Sequence, residues 1–73
     1  MSDCHGIHKI TDLMFCAHDE EEHCVHWSDV ASQWVGGNIK GEVKLLGPSL
    51  AAALMYLYAR TQIPSEKWTT IKY

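Results

Sequence analysis

The sequence predicts an α+β domain, a small sheet of three to four strands packed against one helix with a second helix beside it. Three observations predict this: an alternating apolar and charged stretch at 38–46, an unbroken run of helix formers at 50–60, and an aromatic and β-branched cluster at 67–72. The 73 residues make a single domain, 1–73, with residues 1–8 expected to form a mobile tail. So short a chain buries only about 60% of the surface it exposes when unfolded, so a metal, a disulfide or an oligomeric interface is expected to add stability.

The first strand is expected near 12–17, where Leu13, Met14, Phe15, Cys16 and Ala17 form an apolar run. Two readings compete for the segment after Ala17. In the preferred one, Asp19 caps a second helix within 20–35, Glu22 has capping-box spacing, and Cys24, Trp27, Val30, Ala31 and Trp34 recur at three and four before Gly36 ends it. In the other, residues 19–22 are a hairpin loop, residues 16–18 face 23–25, and only 28–35 is helical.

From Gly37 onward the punctuation is clearer. Ile39, Val43 and Leu45 alternate with Lys40, Glu42 and Lys44, which predicts a strand at 38–46 with one wet face. Gly47-Pro48-Ser49 stops it, and Pro48 suits a helix start, so a helix is expected near 48–61. Its core face would carry Leu50, Ala53, Leu54, Leu57 and Tyr58. Pro64 ends that segment, and Trp68, Thr69, Thr70 and Ile71 predict a last strand near 67–72.

Charge is unevenly spread. The net charge is −3, but residues 1–36 hold one Lys against seven acids, whereas residues 37–73 hold five basic residues against two. An acidic chain fits nucleic acid poorly, because phosphate neutralisation dominates that binding. The acidic half instead suits a basic protein partner. Three Cys, an odd count without a zinc-type pair, argue against a disulfide framework and for a reducing compartment. The start of the chain has no secretory pattern and no stretch reaches the ~20 apolar residues of a membrane span, so a cytoplasmic protein is expected.

All eight Cys and His residues fall within the first 26 positions. Cys16, His18, His23, Cys24 and His26 are candidate metal ligands, since zinc takes four N or S donors at short local spacings. No Cys-x-x-Cys or His-Glu-x-x-His motif accompanies them, so buried cysteines and solvated histidines are the preferred account of the cluster. The second candidate surface is apolar. Residues 50–59 are apolar or aromatic nearly all round, which leaves Met55 and Tyr56 for a partner or a second copy.

The favoured expectation is a small non-enzymatic interaction or regulatory protein without a cofactor. It would bind a basic protein through Glu20, Glu21, Glu22, Asp29, Met55 and Tyr56, as an inhibitor of a nucleic-acid-binding protein of the kind mobile elements encode. The alternative is a zinc or other transition-metal module with a structural Cys/His site.

Overall fold

The computed structural model describes residues 10–72. The expected tail over 1–8, with Cys4, His5 and His8, lies outside the described residues. A short 3-10 turn at Ile10–Asp12 leads into β1 (Leu13–Ala17), followed by β2 (His23–Ser28), β3 (Gln33–Gly37), β4 (Val43–Gly47), α1 (Leu50–Thr61) and β5 (Thr69–Lys72). All pairings are antiparallel, and the sheet order is β4-β3-β2-β1-β5. Four strands thus form an up-and-down meander, and α1 carries the chain to the far edge, where β5 pairs with β1.

One expectation fails between residues 20 and 35, where two strands and a tight turn replace the second helix. The helical spacing of Cys24, Trp27, Val30 and Trp34 competes with a period of two, in which His23, Val25 and Trp27 share one face. The period of two wins because β2 is paired on both sides, by β1 and β3, where Val25, Trp27, Trp34 and Val35 pack on the pleated surface. Val30, a core position in the helical reading, is 99% exposed at the turn. There Ser28 Oγ accepts from the Ala31 amide, and Ser32 takes a left-handed φ of 54°. With these strands the sheet has five members rather than three or four.

The hairpin alternative is right that β1 and the segment after residue 22 pair as antiparallel strands, but not about register, and its helix at 28–35 is a turn and the start of β3. His18 does not face His23; Ala17 does, and Cys16 pairs directly with Cys24. The loop is therefore 18–22, and the one-residue difference moves every side chain of the strand to the other face. Cys16 and Cys24 are joined in a disulfide, Cα to Cα 4.1 Å. The expectation against disulfides is corrected accordingly, and the cysteine-based ground for a reducing compartment goes with it.

The strand expected at 38–46 begins only at Val43. Asn38 Oδ1 accepts from the Lys40 and Glu42 amides, and Gly41 sits at φ 88°, so residues 38–42 turn rather than extend. Helix α1 begins at Leu50, so Pro48 lies just ahead of it rather than in its first turn, and Ser49 is the cap, its Oγ accepting from the Ala52 amide at 3.3 Å. Gln62, in the left-handed region, closes the other end by donating its amide to the Tyr58 carbonyl.

The core lies between α1 and one face of the sheet. Ala17, Val25, Trp34, Ala53 and Leu57 are fully buried, and Phe15, Trp27, Leu46, Leu50, Tyr56, Ile63 and Trp68 surround them. Trp27 and Trp34 meet edge to face with centroids 5.9 Å apart. Of the helix residues expected on the core face, Tyr58 is exposed, and Tyr56, expected on the opposite side, packs over Gly36 instead.

Candidate functional site

The 18–22 loop concentrates the polar chemistry of the molecule. Asp19 Oδ1 accepts from the His23 backbone amide at 3.1 Å, and Oδ2 accepts from His23 Nδ1 at 2.9 Å. Burial pushes the Asp19 carboxyl up, but these bonds and the facing imidazole outweigh it and hold the group below its ordinary value. Glu21 Oε2 lies 2.9 Å from Lys40 Nζ, and Glu21 Oε1 accepts from Asn38 Nδ2. The Lys40 bond is the main reason that the Glu21 carboxyl is held down and Lys40 pushed up. Glu22, at a left-handed φ of 52°, lies 3.1 Å from His18 Nδ1. The other ring nitrogen of His18 lies 2.7 Å from Thr69 Oγ1 on β5.

Three of the four loop acids are thus engaged within the molecule, and Glu20 alone has no partner among the described residues. The remaining candidate partner residues do not join them. Asp29 sits in the turn at the other end of β2, accepting from Trp27 Nε1 at 3.0 Å. Met55 is exposed on α1, while Tyr56 is half-buried over the sheet. Met55 does line an apolar groove of about 510 Å³ with Leu54, Tyr58, Pro64 and Trp68, between the helix and its connection to β5.

The five candidate metal ligands are also distributed. Strand alternation sends His23 to the helix side and Cys16, Cys24 and His26 to the outer face, where both sulfurs are spent in the disulfide. His18 stays at the loop. Among the described residues no group of three or more His, Cys, Asp or Glu converges to hold a metal ion. His23 is nevertheless unusual: it is 3% exposed, and its Nε2 is buried with no hydrogen-bond partner. Glu21 Oε1 lies 3.4 Å from that atom, beyond the ordinary N–H···O range, and makes no hydrogen bond to it.

The outer face holds what the sequence reading missed. Leu45, Val35, His26, Met14 and Ile71 are successive cross-strand partners, one from each strand, and make a single row across the sheet. Beside it run Val43, Gly37, Cys24, Cys16 and Thr69. Val43 is 72% exposed, Leu45 60% and Ile71 44%, with Ile39 also exposed nearby. A shallow depression of about 360 Å³ lies here, lined by Met14, Cys24, Ile39 and Val43 with Glu22 and Glu42 among its walls. The alternation of Val43, Lys44 and Leu45 was legible, but their face was not, because it depends on which side the helix takes.

No helix among the described residues is long and apolar enough to cross a membrane. Compared with protein-family models, curated proteins and solved structures, the chain gives no significant match, so what it does has to be argued from its own residues.

Proposed function

We propose that this chain is a small non-enzymatic interaction protein that binds a basic protein partner through the open face of its sheet. The observation that carries the reading is the largely apolar row of Leu45, Val35, His26, Met14 and Ile71 on the face opposite the helix, exposed at Leu45 and Ile71 and half-buried between them. Contiguous exposed apolar surface is costly to keep in water and marks contact sites. The occupant is chosen by charge. Glu22 and Glu42 flank the depression on this face, and the net charge of −3 favours a partner that brings Lys and Arg around an apolar strip. A nucleic-acid-binding protein has such a surface, and covering it would make this chain an inhibitor of that binding.

The test is an amide-shift titration with two synthetic amphipathic peptides, one of leucine and lysine and one of leucine and glutamate. Shifts at Met14, His26, Val35, Leu45 and Ile71 with the lysine peptide, abolished by Leu45→Glu, are expected. Shifts confined to α1, or equal response to both peptides, would refute the reading. Sedimentation of the free chain separates self-association from partner binding.

A further inference from the structure

We propose that His23 and Glu21 hold a divalent transition ion of the zinc class, with Glu20 as the third protein ligand. This site lies at the 18–22 loop on the helix side and does not depend on the interaction surface. The argument starts from the orphaned nitrogen. With Asp19 accepting from Nδ1, the neutral ring keeps its proton on that atom and presents the Nε2 lone pair to a metal. The ring has no freedom to turn away, because the Asp19 carboxylate grips both the His23 ring and the His23 amide. A carboxylate behind a histidine whose other nitrogen faces a metal is the recurrent arrangement by which proteins orient a ligand and raise its basicity.

A cavity of about 360 Å³ lined by Asp19, Glu20, Glu21, His23 and Arg60 adjoins the ring. The spacing there suits a metal better than a hydrogen bond. Bonds of about 2.0–2.1 Å at a tetrahedral angle put two zinc ligands about 3.4 Å apart, and Nε2 and Glu21 Oε1 are 3.4 Å apart. Lys40 engages the other oxygen, Oε2, and Asn38 takes only one lone pair of Oε1. Glu20 is exposed, has no partner among the described residues and stands on the cavity wall, which makes it the third ligand of the proposed site once its side chain turns inward. Water completes the shell. Arg60 opposes a cation from across the cavity, but its guanidinium is drawn 3.9 Å from Glu42 Oε1.

Zinc chloride is titrated calorimetrically into the untagged, disulfide-intact full chain, with Cys4→Ser/His5→Gln/His8→Gln and Glu20→Gln/Glu21→Gln variants alongside. One zinc per chain is expected, unchanged in the first variant and weakened at least about tenfold in the second. Because Glu21 also holds Lys40 and Asn38, circular dichroism and the melting temperature of the second variant check that its fold is retained. Nitrogen-15 spectra of the histidine rings give an independent readout in the unmodified chain, where zinc must move the Nε2 resonance of His23. No bound zinc, undiminished binding by the Glu20→Gln/Glu21→Gln chain, loss of binding in the N-terminal variant, or an unmoved His23 Nε2 each overturns the assignment.

Discussion

Replacing Gly36 by alanine tests the packing of α1 on the sheet at its tightest point. Gly36 lies on the helix-side face of β3, and a Cβ there would stand 2.5 Å from Cε2 of Tyr56 and 3.1 Å from its Cδ2 and Cζ. Carbon atoms settle about 3.5–4.0 Å apart, so the ring has to retreat by about 1 Å. Overpacking of this kind costs about 1–3 kcal/mol. Against it, Gly36 has no positive φ, so alanine fits the backbone and regains about 0.4–1 kcal/mol by restricting the unfolded chain. The net loss is about 1–2 kcal/mol. At about 4–8 °C per kcal/mol for a domain of this size, Gly36→Ala lowers the melting temperature by about 5–15 °C. Differential scanning calorimetry of Gly36→Ala, Tyr56→Ala and the double variant closes the cycle. In the Tyr56→Ala background the alanine at 36 becomes neutral or stabilising. A Gly36→Ala chain that melts with the parent, or the same loss in both backgrounds, refutes the reasoning that the phenol ring sets the helix-to-sheet distance.

Two further outcomes are expected. Cys16 and Cys24 are eight positions apart, and on the chain-entropy account closing so short a loop is worth about 2.5 kcal/mol; urea unfolding with and without a dithiol reductant checks this, and equal midpoints would defeat it. Asp19 has its folded-state pKa lowered from 3.8, so its contribution is fully present above that pH and is lost as pH falls through the folded value; melting profiles from neutral pH into acid should be flatter for Asp19→Asn, and parallel profiles would count against it.

The parts of the fold legible in the sequence are those with local causes. The run of alanines and leucines after Gly47-Pro48, and the aromatic and β-branched residues after Pro64, specify α1 and β5 almost by themselves. The stretch over 20–35 resists such a reading because Cys24, Trp27, Val30 and Trp34 satisfy a helical spacing while His23, Val25 and Trp27 satisfy a strand's. What decides between them is non-local: β2 is flanked by β1 and β3 on both sides, and the helical alternative would bury Val30, which the turn leaves in water. The candidate ligands went the same way. Their proximity along the chain was real, but a hairpin register one residue different from the expected one sent His23 to one face and Cys16, Cys24 and His26 to the other. The orphaned Nε2 of His23 has no sequence signature beyond the four-residue spacing from Asp19, which reads equally well as a helix cap.

The placement of the tryptophans has a spectroscopic consequence. Trp27, Trp34 and Trp68 all lie on the helix side of the sheet, one fully buried and two packed against the core. Their indoles therefore report the state of the interior, and their emission follows separation of α1 from the strands. The outer face carries no indole among the described residues. A partner without tryptophan that settles there leaves this emission unchanged, so fluorescence separates occupancy of the open face from loosening of the core within one sample.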